Sequence, residues 1–475
     1  MTDVHPVPIG EERFSGSGDR IVVRAPWDGA ELAAVPACGP DDVDRAVVAA
    51  RAALDAAPLP PWRRAEILEK AARLLDERVE HFARIIAREA AKPIKTARTE
   101  ARRAVSTFTF AAVAARTLAG EMVPLDAAQV GEGRLAFTLR VPVGVVGAIS
   151  PFNFPLNLVA HKVAPAIAAG CPVVLKPASQ TPLSALALAE LLLDECGLPA
   201  GHLNVATGSG GRIGNALVDH PGVAHLSFTG SGEVGWKIAE RASRTTVALE
   251  LGNSSPVIVD ADGDWDRAAR TVSVAGFSHA GQSCVSTQRA FVHTSVADEF
   301  SSTLAKLVAE LRVGDPLDED TDVSALITRD DRDRVKAWVD EAVGAGARVL
   351  AGGEVVDGVL QPTVLADVTP DMRVCRDEVF GPVVAIQTVA DVDEALRLAD
   401  DTRYGLQAGI FTARLDTALR AARQLHFGTV LVNEVPTWRA DQMPYGGVRE
   451  SGNTKEGPAW AVRSMTEERL VVVAP

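Results

Sequence analysis

Residues 173–207 read VVLKPASQTPLSALALAELLLDECGLPAGHLNVAT. Val173–Lys176 is a short apolar run of strand character. Leu183 to Glu195 reads as a helix, and Leu203–Thr207 is a second short apolar run. Strand, helix and strand joined by short connections form a βαβ unit, whose two strands lie parallel in one sheet with the helix on its face.

The same rhythm extends both ways from this stretch. Upstream lies the apolar run Val143–Ser150; downstream come a helix at Ile213–Asp219, a strand at His225–Thr229 and a helix at Val234–Ala242. A second series runs from Ser255 to about Val435, with helices expected at Ala268–His279, Ala297–Leu311, Arg332–Ala345 and Val392–Asp400. The first hundred-odd residues read as helices, at Asp41–Asp55, Trp62–Ala91 and Ile94–Leu118. Between them and the first series, Leu135, Phe137 and Leu139 alternate with Thr138 and Arg140, the pattern of a β-ribbon. The tail from Glu468 to Pro475 reads as a strand that lies beside this ribbon, either its own or another subunit's. The expected class is α/β, divided into 1–121 with 143–251, then 252–460, and a small β element of 122–142 with 461–475.

A chain of 475 residues is too long for one core. Hydrophobic residues at 47% and charged ones at 23% match a soluble globular protein. A net charge of −14 without any Lys/Arg cluster argues against nucleic acid, and Arg102-Arg103 reads as a solvated helix face. The longest apolar runs are broken by Gly and far short of a membrane span. Residues 1–14 lack a basic region followed by an apolar one, so no signal peptide is expected. Cys38, Cys171, Cys196, Cys284 and Cys375 are odd in number and widely spaced, which supports neither a disulfide framework nor a zinc site. The histidines have no metal-ligand spacing, so no metal is expected. A reducing cytoplasm fits free thiols.

Three polar residues interrupt runs that otherwise read as buried: Asn153 in AISPFNFPL (148–156), Glu250 in VALELG (247–252) and Cys284 in HAGQSCV (279–285). A carboxylate inside an apolar run costs several kcal/mol if charged and unpaired, so its pKa rises and it becomes a general base near neutral pH. A cysteine thiolate attacks carbonyl carbon, and an asparagine amide donates to the oxyanion that forms. Singly, each has a plainer reading: a small buried hydrophobe, a solvated strand end, a turn residue.

The surrounding words change that balance. PFNFPL (151–156), KPASQTPL (176–183), FTGSGEVGW (228–236), LELGNS (249–254), GQSCV (281–285), EVFGPVV (378–384) and PYGGVRESGN (444–453) resemble the signatures of the aldehyde dehydrogenase superfamily, in the same order and across nearly the whole chain. The resemblance implies a Rossmann-like NAD(P)-binding domain in the first division, a catalytic α/β domain in the second and an oligomerisation ribbon in the third, with a homodimer or homotetramer as the assembly. It implies Cys284 as nucleophile, Glu250 as the base for the deacylating water, and Asn153 with the Cys284 backbone N–H as oxyanion donors. The adduct would expel hydride to the nicotinamide, leaving a thioester that water releases as a carboxylic acid. Retention of Glu250 argues for hydrolysis over transfer to coenzyme A. A coenzyme A-acylating enzyme and a silent binding protein on this scaffold are the alternatives.

GSGGRIG (208–214) follows a strand and opens a helix, but its spacing is one residue longer than a Rossmann fingerprint requires. Gly210 and Gly214 are therefore cofactor candidates whose plainer role is a tight turn. The resemblance places the diphosphate near Ser231, at a helix N-terminus. It places Lys176 and Ser179 at the adenosine ribose, Ser150, Pro151, Phe152, Phe228 and Leu251 along the cofactor, and Glu378 with Phe380 at the nicotinamide end. Many NAD-preferring relatives carry Glu where this chain has Ser179; a hydroxyl can donate to a 2′-phosphate, which inclines the reading towards NADP over NAD. Arg212 reads as a solvated helix position. Phe154 and Tyr445 would line the substrate site of a small aldehyde such as succinate semialdehyde or lactaldehyde. Arg439 and His161 are candidates to recognise a carboxylate, phosphate or sulfonate on it. The sequence leaves equally open that Arg439 pairs with Asp441 or Glu434 at the surface.

Overall fold

The computed structural model describes residues 4–16, 18–56, 59–242 and 244–474. Met1–Asp3, at the start of the stretch read for a signal peptide, and Pro475, at the end of the expected tail strand, lie outside the described residues.

The βαβ reading holds. Strands Val145–Ile149, Val173–Lys176, Leu203–Val205, Val223–Thr229 and Thr246–Glu250 form one fully parallel sheet. Val145–Ile149 is central, with Val173–Lys176 then Leu203–Val205 on one side, and Val223–Thr229 then Thr246–Glu250 on the other. The order therefore reverses at the central strand, and a crevice opens beyond the carboxyl ends, the usual place for a ligand in such sheets. Ser150–Asn153, Lys176, Ser231 and Glu250 all lie at or just beyond those ends.

A second sheet has seven strands, in the order Arg348–Ala351, Thr363–Ala366, Val383–Val389, Thr287–His293, Ser255–Val259, Gln407–Phe411 and Thr429–Val432. Only Arg348–Ala351 runs antiparallel to its neighbour. Each sheet has its own apolar core, one including Phe108, Val146 and Leu175, the other Phe277, Val292 and Val384. Strand Leu135–Pro142 pairs antiparallel with Thr466–Val473 of the same chain, Leu139 opposite Arg469. This resolves the position of the tail. Met122, Leu135, Leu139 and Val473 are exposed on one face of this ribbon, and Leu470 and Val472 on the other.

Three expectations need correction. The N-terminal region opens on short strands, Val7–Ile9, Glu12–Phe14, Arg20–Arg24 and Glu31–Pro36, in two antiparallel pairs too brief to show periodicity. The helix expected over Trp62–Ala91 is two helices, Pro61–Glu77 and Val79–Ala90, broken at Arg78 without Gly or Pro to mark it. The helix expected over Ala268–His279 spans Trp265–Ala275 and gives way to a tight turn at Ser278–Gly281. No helix among the described residues is long and apolar enough to cross a membrane.

Candidate active site

The turn at Ser278–Gly281 lies just before Cys284 and is strained. His279, Ala280 and Gly281 are consecutive left-handed residues, with φ of 51°, 53° and 69°. A non-glycine residue there costs of order 1–3 kcal/mol, strain that concentrates at functional sites. A Cβ at Gly281 would meet the Gly381 carbonyl oxygen at 2.0 Å, so only glycine fits. Three residues on, Cys284 projects into the junction of two cavities. Asn153 donates one amide hydrogen to the Gln282 carbonyl at 2.9 Å, leaving the second uncommitted beside the loop. The Cys284 backbone N–H donates to no acceptor among the described residues.

Glu250 ends its strand 4% exposed, and neither carboxylate oxygen has a hydrogen-bond partner. Burial, then the Glu456 charge, pushes its carboxyl well above the usual range, against the pull of Arg439, Lys162 and Lys455. Room for it comes from Gly446, where a Cβ would lie 2.6 Å from Oε1. Cys284 sits among Val285, Leu406, Met443 and Tyr445. Burial pushes its thiol up to about 12; a hydrogen bond with Tyr445 lowers it, while Glu378 and Glu250 raise it further.

The first cavity, about 700 Å³, covers the carboxyl ends of the parallel sheet. Ser150, Pro151, Phe152, Asn153, Lys176, Ser179, Gly210, Phe228, Ser231, Leu251, Glu378 and Phe380 all line it, as do Glu250 and Cys284. Gly214 lines an adjoining cavity of about 400 Å³ that shares Lys176, Gly210 and Phe228. Lys176 is 5% exposed, and its Nζ donates to the Pro177 carbonyl at 3.1 Å. It has no carboxylate partner among the described residues, and burial brings its pKa down to about 8. Ser231 precedes helix Gly232–Arg241, whose first N–H groups face the cavity's end. Phe380 has φ 49° and stands edge-on to Phe152, centroids 5.8 Å apart. Glu378 accepts from the Asn253 N–H at 3.0 Å, and burial pushes its carboxyl up to about 7. The Ser179 hydroxyl donates to the Gly208 carbonyl at 2.8 Å. In this rotamer its proton points to that carbonyl rather than into the cavity.

The second cavity, about 330 Å³, opens on the other side of Cys284 and Glu250 and is lined by Phe154, Trp438, Arg439 and Tyr445. Two further members, Glu100 and Arg103, come from helix Ile94–Thr117 and were not anticipated. Arg103 is not on a solvated face: its Nη2 donates to Asp441 at 2.9 Å, and its guanidinium lies 6.0 Å from the Phe154 ring. Fully buried Lys92 sits over the same ring at 3.6 Å and pairs with Glu100. Glu100 in turn accepts from the Leu156 and Asn157 N–H groups at 3.0 and 3.1 Å, tying down the first turn of helix Asn157–Ala169.

His161 does not face this cavity. Its buried ring has Nε2 3.1 Å from Asp441 and 3.0 Å from Arg439, and burial with the Arg439 charge keeps it neutral. Arg439 pairs with neither Asp441 nor Glu434; it meets Glu456 at 3.1 Å with its side chain 5% exposed. His161 is buried away from the cavity, whereas Arg439 lines it but is paired with Glu456 there. Arg103, with 24% of its side chain exposed, is the more accessible cation. The sequence carried one signal: Glu100 interrupts the alanine stripe Ala97, Ala101, Ala104 on a buried helix face. Among the described residues no cluster of His, Cys, Asp or Glu is placed to hold a metal.

A doubly wound sheet facing a second sheet, with a cysteine and an unpaired carboxyl where two cavities meet, defines an α/β enzyme scaffold with separate compartments for two ligands. The chain belongs to the aldehyde dehydrogenase family, a family of oxidoreductases whose sequence profile matches residues 14–471. It is 48% identical to a 3-sulfolactaldehyde dehydrogenase of Priestia aryabhattai, over 91% of this chain and 90% of the relative. Aldehyde dehydrogenase 21 of Physcomitrella patens, solved in complex with the reaction product succinate, superposes with a TM-score of 0.96 at 37% identity, covering 100% of this chain and 99% of its own. The NADP-dependent glyceraldehyde-3-phosphate dehydrogenase of Bacillus halodurans, solved with NADP, gives 0.95 at 38% identity and 99% coverage of both chains.

Proposed function

We propose that this protein oxidises a short aldehyde bearing an anionic group to the corresponding carboxylic acid, with NAD(P)⁺ as oxidant and a covalent intermediate on Cys284. The observation that carries this reading is that Cys284 and Glu250 line both cavities. One sulfur can therefore hold a substrate from one compartment against a cofactor in the other.

The first cavity fits a dinucleotide. Lys176 is a buried cation with no counter-ion among the described residues, and a helix N-terminus beside Ser231 offers free N–H groups to a diphosphate. When bound, the nicotinamide supplies the hydride acceptor. Glu378 and Phe380 hold that end, and Lys176 with Ser179 the adenosine ribose. The absence of a carboxylate at Ser179, together with the unmatched Lys176 charge, supports acceptance of NADP as well as NAD.

The chain's own residues do the rest. The Cys284 thiolate attacks the carbonyl carbon, and the second amide hydrogen of Asn153 and the Cys284 N–H meet the oxyanion. Glu250, left unpaired and with its pKa raised, takes a proton from the water that hydrolyses the thioester. Arg103 faces the substrate's anionic end, and Phe154 and Tyr445 flank its carbon chain. Names of relatives carrying sulfonate, carboxylate or phosphate substrates support an anionic tail. We further infer that residues 1–121 with 143–251 bind the cofactor, that 252–460 carry the nucleophile, and that the apolar ribbon joins subunits into a homodimer or homotetramer. The free thiols support a reducing, cytoplasmic setting.

A panel of short aldehydes with sulfonate, carboxylate, phosphate or neutral tails, assayed separately with NAD⁺ and NADP⁺, tests the reading. Carboxylic acid formation favouring the anionic members is expected. Product formation only in the presence of coenzyme A would overturn it in favour of acyl transfer.

A further inference from the structure

Tyr445 is 3% exposed, and its hydroxyl oxygen lies 3.0 Å from Cys284 Sγ, its one hydrogen-bond partner among the described residues. A thiolate has no hydrogen to give, so once Cys284 ionises the phenol must be the donor. The phenol keeps its proton to do so: burial and the neighbouring sulfur push its pKa well above 10.

The ring has no freedom to turn away. It packs with Val285 and Leu406 around the sulfur. Its backbone carbonyl accepts from the Glu456 N–H at 2.5 Å. One face is covered by the Arg439 guanidinium, 3.7 Å from the centroid, and Arg439 is itself fixed by Glu456. A desolvated cation over an aromatic face draws on the ring's electron density, which makes the phenolic O–H a stronger donor.

We propose that Tyr445 is a further catalytic residue, whose hydroxyl donates a hydrogen bond to the Cys284 thiolate, and that Arg439 is the positioning residue that holds and polarises its ring. This rests on Cys284 being the nucleophile. Tyr445 keeps its proton throughout; the thiol's own proton leaves to water in the cavities that Cys284 lines. When the C–S bond forms, the sulfur loses its charge and the hydrogen bond weakens without any transfer of atoms. The proposal also gives Arg439 a function that does not need its charge to be free for substrate.

The test is the pH dependence of iodoacetamide alkylation at Cys284, located by peptide mass, in the wild type, Tyr445→Phe, Arg439→Gln and the double variant. Phenylalanine keeps the ring and its packing. A hydrogen bond to a charged group is worth about one to two pH units in the ionisation constant, so Tyr445→Phe should raise the midpoint by that much. At a fixed pH below the midpoint the rate should fall only about three- to tenfold, because the more basic thiolate is also more nucleophilic. Arg439→Gln should shift the midpoint less, and the double variant by less than the sum of the two single shifts, the excess over Tyr445→Phe alone reporting the direct pull of the Arg439 charge on the thiolate. An unchanged alkylation rate in Tyr445→Phe at that fixed pH overturns the proposal. Aldehyde oxidation surviving Cys284→Ala would instead overturn the nucleophile assignment on which it rests.

Discussion

The two cavities that meet at Cys284 are built in opposite ways. The wall of the first cavity, the proposed cofactor side, is assembled from strand ends and tight turns, each contributed by a short contiguous word of sequence such as PFN, KPAS or TGSG. The substrate-side wall is a network of side chains from segments far apart: Arg103 meets Asp441 across 338 positions, and His161 meets Asp441 across 280. Backbone makes the first wall, and paired charges make the second. A substitution in the first should therefore act locally, whereas one in the second should propagate to its partners.

Glu250 belongs to both walls, and its loss should have the largest effect. Glu250→Gln is expected to slow steady-state turnover by about 10²- to 10⁴-fold while preserving one burst of NAD(P)H, read by rapid mixing. The base works only when ionised, and its raised pKa means that wild-type turnover falls as pH drops through that value. The variant should lose this limb. Disappearance of the burst as well would show that Glu250 also ionises Cys284.

Arg103→Leu and Arg439→Leu separate access from support within the substrate-side wall. A charge-assisted contact is worth about 1.5–3 kcal/mol, so Arg103→Leu should lower kcat/KM for anionic aldehydes about 10- to 150-fold more than for neutral ones, whose smaller loss comes from Asp441 left without this partner. Arg439→Leu should lower both alike, since it leaves buried Glu456 with only the more distant Lys162, at 3.9 Å, and loosens Tyr445. The reverse pattern would exchange the two roles.

The smallest effect belongs to the cofactor-side wall. Ser179→Glu brings a carboxylate to the cavity lined by Lys176 and should weaken NADP use relative to NAD by about 5- to 150-fold, measured as the ratio of kcat/KM for the two cofactors. An unchanged ratio would place the adenosine ribose elsewhere.

The same contrast explains what was legible in the sequence. Parallel strands and their loops repeat a local rhythm, and the residues expected along the cofactor line the first cavity, Gly214 its neighbour. A charge pair leaves no local trace. Arg103 looks like any arginine on a charged helix until Asp441 is brought to it, and His161 looks available until Thr107, Asp441 and Arg439 close around it. Glu100 alone could have been found, as a carboxylate inside a buried alanine stripe. The short N-terminal strands escaped notice because a few residues hold too little pattern, and the break at Arg78 because nothing in its composition marks it.

The proposed mechanism requires that one sulfur, Cys284, carry the substrate between the two compartments. Glu250→Gln mixed with an anionic aldehyde and NAD(P)⁺, quenched in acid and digested, tests it directly by peptide mass. An acyl group is expected on the peptide containing Cys284, in an amount equal to the NAD(P)H released. NAD(P)H formed while Cys284 stays unmodified, or an acyl group found on Cys375 or another thiol, would contradict it.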